Sequence, residues 1–305
     1  MLTFAFCTYN RADRLEKLVA AMRAQNCPIP FEILVVNNNS ADNTAEVLTH
    51  LVQQPGPLLR WVTESVQGIV SARNRTIQES LDSDILVFID DDEIPLPGLL
   101  EAVVHAILSE GAQCAGGRVE MDFSHYPRPA WLGDELLGFL AAVDYGQESF
   151  WIQDTNTPIW TANVAYDMRL FRNDPNLRFD KRYDRKGNVI GGGSDAIMFR
   201  TLLERKVRIR YCSGMTVLHA VEPWRLKRRY FLKLHYRAGL RQGLYELPNF
   251  SRTLFGVPPF LVSQLIGQCA RTVAILLKGQ EGTLRQAMNA AHAWGTLVGY
   301  SRHVR

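Results

Sequence analysis

The chain has 305 residues, of which 47% are hydrophobic and 21% are charged. This length and composition allow a substantial buried core and exclude a disordered chain. The net charge of +3 hides an asymmetry, because residues 205–305 carry 17 Lys and Arg against 3 Asp and Glu, whereas residues 1–204 carry 17 against 28. The basic C-terminal region therefore predicts contact with nucleic acid, an anionic lipid surface or a phosphate-bearing substrate.

The five cysteines are scattered and lack the spacing of a metal site, which predicts reduced thiols in a cytosolic protein. The first residues enter a strand pattern without a charged segment before it, so we expect no signal peptide. We also expect no segment with the length of an uninterrupted transmembrane helix.

Strands and helices alternate over the first hundred residues. A strand is predicted over residues 2–7, and an amphipathic helix follows the polar loop Thr8–Arg11. The unit repeats, with further strands predicted at 31–36, 58–62 and 85–89 and further helices at 44–51 and 68–80. Short connections between alternating elements predict an α/β protein with a Rossmann-type sheet that carries helices on both faces.

The second half of the chain is less regular. After a helix at 98–108 and a strand at 113–121, residues 122–157 form a long segment rich in aromatic residues, Gly and Pro, which we interpret as shaping a substrate pocket. Further elements are predicted as a strand at 158–166, a helix capped by Ser194, strands at 207–211 and 215–218, and a basic helix at 224–244.

Residues 255–277 are apolar and are interrupted by Gln264, Gln268 and Arg271. Together with the basic charge around it, this pattern favours a helix at a membrane interface over a nucleic-acid groove. An ordinary helix packed on its own domain or on a second copy stays open as an alternative.

Three adjacent carboxylates, Asp90, Asp91 and Asp92, follow the apolar run Ile85–Ile89. They lie at the carboxyl end of a predicted strand, which is where open α/β sheets bind ligands. Crowded carboxylates repel each other unless a cation or several donors neutralise them, and Asp90 and Asp92 project to the same side of an extended segment. The residues predict a site for Mg²⁺ or Mn²⁺ together with a diphosphate, with a solvated acidic turn as the alternative.

An ordered series of these segments, over roughly residues 3–243, resembles the family 2 glycosyltransferases, which have a GT-A fold and use nucleotide-diphosphate sugars. The matching motifs are Cys7–Arg11, Val35–Thr44, Gln67–Gly68 with Ala72–Asn74, Asp90–Asp92, Trp160–Ala165, Gly191–Asp195 and Val217–His219. The chain departs from the family pattern at Asn37, where the family usually has Asp, and at Ser194, where it commonly has Glu.

The resemblance implies a role for each group of motif residues. It makes Asp195 the general base, and it makes Asp90, Asp92 and His219 the ligands of Mn²⁺ or Mg²⁺. The implied donor-binding residues are Thr8, Tyr9, Asn10, Arg11, Asn37, Asn39, Asp42, Gly68, Arg73, Asp90 and Asp91. The implied acceptor-binding residues are Trp160, Asn163, Gly193 and Ser194.

The chemistry of the residues agrees with this reading. A departing nucleoside diphosphate gains negative charge, which a divalent ion at Asp90 and Asp92 would neutralise. Asp195, at a helix N-terminus that favours its ionised form, can take the proton of the acceptor hydroxyl. One base opposite one leaving group predicts a single displacement with inversion. Residues Arg225, Arg228 and Arg229 are interpreted either as diphosphate ligands or as a solvated face.

We therefore predict a GT-A catalytic domain over residues 1–220, with a donor half at about 1–121 and an acceptor half at 122–220, followed by a helical region at 221–305. The expected partners are a nucleotide-diphosphate sugar, with a UDP-sugar favoured, and a lipid-linked or polysaccharide acceptor. The C-terminal region is expected at an anionic surface on the cytoplasmic face of the inner membrane.

Two other functions stay open from the sequence alone. A sugar-phosphate nucleotidyltransferase would need a glycine-rich phosphate loop, which Cys7–Arg11 lacks. A protein that binds a nucleotide sugar or a membrane partner without turnover would account for Asn37 and Ser194. Nucleic-acid binding is the least expected function, because the basic residues are not interleaved with exposed aromatic residues in a recognised module.

Overall fold

The computed structural model describes residues 1–185, 190, 192–279 and 282–303. The chain divides into two units, Met1–Gly187 with Ser194–Val221, and Asn188–Gly193 with Glu222–Arg305. The first unit carries the strands, and the second unit carries the long C-terminal helices.

Strands and helices alternate through the first half of the first unit. The strands are β1 (Leu2–Thr8), β2 (Phe31–Asn37), β3 (Leu59–Thr63), β4 (Ile85–Ile89), β5 (Glu93–Pro95), β6 (Cys114–Asp122), β7 (Phe150–Ile152), β8 (Asn163–Asp167) and β9 (Ile209–Ala220). The helices of this unit are α1 (Ala12–Arg23), α2 (Thr44–Val52), α3 (Ile69–Glu79), α4 (Leu99–Val104), α5 (Arg169–Asn173) and α6 (Ser194–Glu204). A π-helical turn, His105–Ser109, continues α4.

The strands form one mixed sheet in the order β3-β2-β1-β4-β8-β6-β9-β5, with β7 paired to β9. Strands β1 to β4 are parallel, whereas β8 runs antiparallel to both β4 and β6. All five residues of β4 are buried, which fits a strand covered on both faces. The predicted mixed α/β sheet with helices on both faces is confirmed, as is the helical C-terminal region.

One strand differs from the predicted pair. Two short strands are predicted at 207–211 and 215–218. Residues 209–211 and 215–218 belong instead to the single strand β9, which pairs in parallel with β6, and residues 207 and 208 precede it. The register shifts between Gly117 and Arg118, so a β-bulge takes up the polar residues that suggested a break. A side chain at Gly117 would place its Cβ 1.8 Å from the Met215 carbonyl oxygen, so this close approach needs glycine.

Three aromatic side chains of the core pack beside β4. The ring of Phe88 meets the rings of Tyr166 and Phe179 edge-on, with centroids 6.2 and 6.3 Å apart. These aromatic contacts join β4 to β8 and to the segment before residue 180. The strand that precedes the three aspartates is thereby packed on the face of the sheet that carries Phe88.

The second unit contains helices α7 (Arg228–Arg241), α8 (Pro259–Leu277) and α9 (Thr283–His303), and a π-helical turn, Gln242–Glu246, continues α7. Within the described part of the chain, α8 is the one helix long and apolar enough to cross a membrane by length and composition, with a mean hydropathy of 1.6. The expectation that no segment has this length was wrong, because three polar residues do not offset the apolar residues around them. All five cysteines are free thiols.

Candidate active site

The loops after β1 and β2 are tied together by short hydrogen bonds. The amide oxygen of Asn10 accepts a hydrogen bond from the Ala41 N–H at 2.7 Å, and Asn10 N–H donates to Ser40 Oγ at 2.9 Å. The Asp42 carboxylate accepts from the backbone N–H groups of Ala12 and Thr44 at 3.3 and 3.1 Å. These contacts bring the predicted donor-binding residues of both loops to the carboxyl edge of the sheet.

Two predicted donor-binding residues, Asn39 and Asn37, are distinguished by an unusual backbone conformation and by burial. Asn39 has a φ of +58°, a left-handed conformation that Asn tolerates better than most residues. Asn37 is buried at the end of β2, and its amide oxygen accepts a hydrogen bond from the Ser40 N–H at 3.1 Å. Tyr9 and Arg11 lie in the same loop as Asn10, and both are partly exposed.

Helix α3 begins at a tightly packed turn around Gly68. A Cβ atom at Gly68, whose φ is +147°, would lie 1.9 Å from Asp184 Oδ2, so only glycine fits there. Asp184 accepts a hydrogen bond from the Val70 N–H at 3.0 Å, and Asn38 accepts one from the Gly68 N–H at 2.8 Å. The turn therefore links β2, α3 and the segment near residue 184.

Arg73 lies at the centre of the site. Its side chain is 6% exposed, and its Cζ lies 5.5 Å from the Phe179 ring centroid. The guanidinium donates to Asp195, and its Nη2 lies 3.4 Å from Asp90 Oδ1. Burial works against the charge of Arg73, but the carboxylates of Asp195 and Asp90 outweigh it and raise the pKa of the guanidinium. One buried cation thus connects the acidic loop after β4 to the start of α6.

Asp195 has a second donor close by. The Thr161 hydroxyl donates to the same carboxylate oxygen that accepts from Arg73. Ser194 is buried at the first position of α6, and its hydroxyl lies 3.3 Å from Arg73 Nη1. Asp195 itself stays 29% exposed, so a solvent-side ligand can reach it.

The three adjacent aspartates occupy different surroundings. Burial, and then the neighbouring Asp92 carboxylate, raise the pKa of Asp91 to about 7, although the Thr8 hydroxyl donates to Asp91 at 2.8 Å. Burial also raises the pKa of Asp90, while Arg73 opposes this shift. These shifts show that negative charge is costly in this loop, which is the condition that a bound cation relieves.

His219 faces the acidic loop from β9. It is 2% exposed, and its Nδ1 lies 3.4 Å from Asp92 Oδ1 and 3.4 Å from Glu93 Oε1. Glu93 is also buried, and its other carboxylate oxygen accepts a hydrogen bond from the Asp90 N–H at 2.8 Å. Two carboxylates beside Nδ1 favour a proton on that nitrogen, so Nε2 is the ring nitrogen that could offer a lone pair to a ligand.

The predicted metal ligands Asp90, Asp92 and His219 have donor atoms that suit a divalent ion, but they do not surround a common point. Among the residues that the structure describes, no three His, Cys, Asp or Glu side chains form a group ready to hold a metal ion. Asp92 faces His219, whereas Asp90 faces Arg73. Carboxylate oxygens and one imidazole suit Mn²⁺, and their crowding fits a divalent cation.

The predicted acceptor-binding residues differ in burial and in hydrogen bonding. Asn163 is buried, and its amide donates to the carbonyl oxygens of Arg118 and Met215 at 2.9 and 2.8 Å, which gives it a structural position between β6, β8 and β9. Trp160 is partly buried against the core, and Gly193 has a φ of +95°. Gly191, part of the same predicted motif, lies outside the described residues.

Sequence reasoning missed several contacts of this site. Glu93, Thr161, Asp184 and Asn38 hold the predicted residues in place, yet none of them belongs to the predicted set. A charged residue at the first position of a strand, as at Glu93, was an available signal, because burial of such a residue requires polar partners. Thr161 and Asp184 contact residues that are far from them in the sequence, so a local sequence pattern cannot predict these contacts.

Comparisons with known proteins show the family of this chain. A family model described as Glycosyl transferase family 2 matches residues 3–205. Glycosyltransferase AglE of Haloferax volcanii is 32% identical over 164 residues, which make up 53% of this chain and 49% of that protein. The chain thus spans about half the length of this curated relative.

Solved structures share the fold. The mannosyltransferase PcManGT of Pyrobaculum calidifontis, in complex with GDP-Man and Mn²⁺, superposes with a TM-score of 0.58 at 16% identity and covers 97% of this chain and 86% of that one. Residues 1–349 of S. aureus TarS, in complex with UDP-GlcNAc, give a TM-score of 0.56 at 12% identity and cover 99% and 91%. The family model and the shared GT-A fold confirm the resemblance, and the chain belongs to the family 2 glycosyltransferases.

Proposed function

We propose that the chain transfers a sugar from a nucleotide-diphosphate donor to an acceptor hydroxyl, with inversion at the anomeric carbon and with a divalent metal ion. The contact that carries this proposal is the guanidinium of Arg73 between Asp90 and Asp195. This contact supports the proposal because a single side chain bridges the acidic loop, which we assign to the leaving diphosphate, and Asp195, which we assign to the acceptor. A base and a leaving group on opposite sides of the sugar lead to a single displacement.

The donor is a nucleoside-diphosphate sugar. TarS was solved with UDP-GlcNAc and with UDP, and PcManGT with GDP-Man, which supports this donor class for a chain of the same fold. We favour a UDP-sugar. The loops at Thr8–Arg11 and Asn37–Asp42 line the nucleotide side, and the amide of Asn37 replaces the usual carboxylate in contacting the base.

Asp90, Asp92 and His219 would hold the metal ion, and Mn²⁺ or Mg²⁺ fits their oxygen and nitrogen donors. The ion supplies positive charge for the two phosphates of the leaving group. Asp91 is held by Thr8 and supports the loop from the side of β1.

Asp195 accepts the proton of the attacking hydroxyl. Arg73 and Thr161 both donate to its carboxylate, which fixes its orientation before the acceptor binds. Arg73 is therefore assigned to positioning the two acids as well as to the donor side of the site. Trp160 and Ser194 remain the candidates closest to the acceptor side, whereas Asn163 supports the sheet.

Glu93→Gln is expected to weaken metal-dependent nucleotide binding by about 10- to 100-fold, since residues behind a metal ligand commonly change affinity by that factor. The change keeps the shape of Glu93 and removes the charge that orients the Nδ1 proton of His219. The measurement is a calorimetric titration with UDP and Mn²⁺, alongside exposed Glu16→Gln as the matched control. Equal affinities in Glu93→Gln and wild type would show that Glu93 has no positioning role.

The acceptor is proposed as a lipid-linked glycan or a growing polysaccharide, reached from the cytoplasmic face of the inner membrane. The exposed apolar side chains of α8 and the basic charge of residues 222–305 support attachment to a membrane surface.

Turnover tests the proposed function directly. The protein is incubated with Mn²⁺ and a panel of UDP-, GDP-, CDP- and dTDP-sugars, with water in place of the acceptor hydroxyl. Released nucleoside diphosphate and the sugar anomer first formed are followed by NMR. We expect release from one donor class and an inverted anomer. A retained anomer would contradict the assignment of Asp195, and the absence of release from every donor would favour a binding protein without turnover.

A further inference from the structure

Helices α7 and α9 of the second unit pack through glycines in contact with the opposite backbone. A Cβ atom at Gly239 would lie 2.0 Å from the His292 carbonyl oxygen, and one at Gly295 would lie 2.0 Å from the Tyr236 carbonyl oxygen. Gly243 and Gly299 show the same close approach one turn further along. Glycines four residues apart on both helices bring the two backbones together, as in helix pairs that associate in lipid.

Helix α8 is almost uncovered in its own unit. Only 6% of its most apolar stretch is buried. Six of its large apolar side chains are between 42% and 81% exposed, and these are Phe260, Val262, Ile266, Val273, Leu276 and Leu277. Just before the helix, Phe255 is 98% exposed. An apolar surface of this extent on a folded unit indicates a contact with another apolar phase or partner.

The polar residues of α8 lie on a separate stripe. Gln264, Gln268 and Arg271 follow one another at spacings of four and three residues, so they share one side of the helix. Gln268 is already engaged, because its amide oxygen accepts a hydrogen bond from Gln286 Nε2 of α9 at 2.7 Å. Val262, Ile266 and Val273 recur at spacings of four and seven on a different side. A helix with one apolar and one polar side suits the plane of a membrane interface better than a crossing orientation.

The net charge of the second unit distinguishes between two candidates for covering the apolar side of α8, a second copy of the chain and a lipid bilayer. Residues 222–305 carry thirteen Lys and Arg against three Asp and Glu. Two copies brought together through this unit would repel each other, whereas an anionic bilayer attracts each basic side chain near its surface. Lys233 stands at the edge of an apolar cavity of about 710 Å³ between α7, α8 and α9, which Leu265 and Trp294 also line.

We propose that α8 lies in the plane of an anionic phospholipid bilayer, with Val262, Ile266, Val273 and Leu277 in the acyl layer and the basic residues of α7 at the phosphate head groups. The close glycine contacts join α7 to α9, and Gln286 of α9 donates to Gln268 of α8. This assignment names the lipid partner of the attachment proposed above, and it does not depend on glycosyl transfer.

The test uses the full chain with Cys27→Ser and a bimane label on Cys269, which is exposed on α8. Burial raises the pKa of Cys7, Cys114 and Cys212, so these thiols react slowly in the folded protein. The labelled protein is floated with phosphatidylcholine vesicles and with phosphatidylcholine–phosphatidylglycerol vesicles. We expect stronger binding to the anionic vesicles, with a blue shift of the bimane emission that added salt weakens.

Matched variants test whether vesicle binding depends on the apolar side of α8 or on any exposed apolar side chain. Ile266→Glu with Val273→Glu is expected to lower partitioning by roughly tenfold or more, because charged groups resist the acyl layer. Leu58→Glu, at a site in the first unit that is 65% exposed against 63% for Ile266, is expected to bind like wild type. We expect calorimetric nucleotide binding to be the same in the wild type, the double variant and Leu58→Glu. This readout keeps the test independent of the catalytic proposal.

Two results would overturn the assignment. One is equal vesicle binding by the double variant and wild type. The other is a stable dimer in sedimentation that Ile266→Glu with Val273→Glu dissociates, together with no binding to anionic vesicles, which would identify a second copy as the occupant.

Discussion

Asp195→Asn is expected to lower sugar transfer by about 10²–10⁴-fold, the usual contribution of a general base. The amide keeps the size of the carboxylate but cannot take the proton of an acceptor hydroxyl. Arg73 loses one ionic partner and keeps Asp90, so the buried guanidinium stays paired. Metal-dependent donor binding is therefore expected to persist in the variant, and the loss is expected in kcat.

The measurement is single-turnover transfer together with calorimetric donor binding for the same preparation. Glu204→Gln at the far end of α6 is exposed and serves as the matched control, with wild-type values expected for both quantities. Full activity of Asp195→Asn would remove Asp195 from the mechanism. Loss of donor binding as well would assign Asp195 to the donor side through Arg73.

Asp92→Ala is expected to abolish both metal-dependent donor binding and transfer. The side chain of Asp92 faces His219, and its removal leaves the imidazole with Glu93 and takes one oxygen from the ligand set. A metal site that loses one of two carboxylates binds the ion and the attached diphosphate much more weakly. The same change relieves the repulsion that contributes to the raised pKa of Asp91.

The test is a titration of the variant with Mn²⁺ and nucleotide, compared with Asp82→Ala, an exposed aspartate shortly before β4. The pKa of Asp91, followed by NMR without metal, is expected to fall below its value of about 7 in Asp92→Ala. Wild-type nucleotide affinity in Asp92→Ala would contradict the proposed metal site.

The first half of the fold could be predicted because its strands are apolar and its helices amphipathic. The predicted 85–89 strand matches β4, and the predicted 31–36 strand lacks only Asn37 of β2. The acidic loop could be placed at a sheet edge for the same reason. The insertion of β8 between β4 and β6, antiparallel to both, has no local signal, because pairing depends on residues that are far apart in the chain.

Motifs in the sequence named the candidate site residues but not the contacts between them. Motif order brought Arg73, Asp90 and Asp195 into one set, but the ion pair between Arg73 and Asp195 joins residues 122 positions apart. Asn163 shows the opposite case, because a polar residue in a predicted pocket strand is used to hold neighbouring strands. Burial decides between such roles, and burial is a property of the folded chain.

The central claim is a metal-dependent nucleotide site at the carboxyl edge of the sheet. The most direct measurement is a calorimetric titration of the wild-type chain with UDP, GDP, CDP and dTDP, each in Mn²⁺ and in EDTA. We predict saturable binding of one nucleoside diphosphate in Mn²⁺, with UDP the favoured one, and loss of this binding in EDTA. Binding that is equal in Mn²⁺ and EDTA, or no binding of any of the four, would contradict the claim.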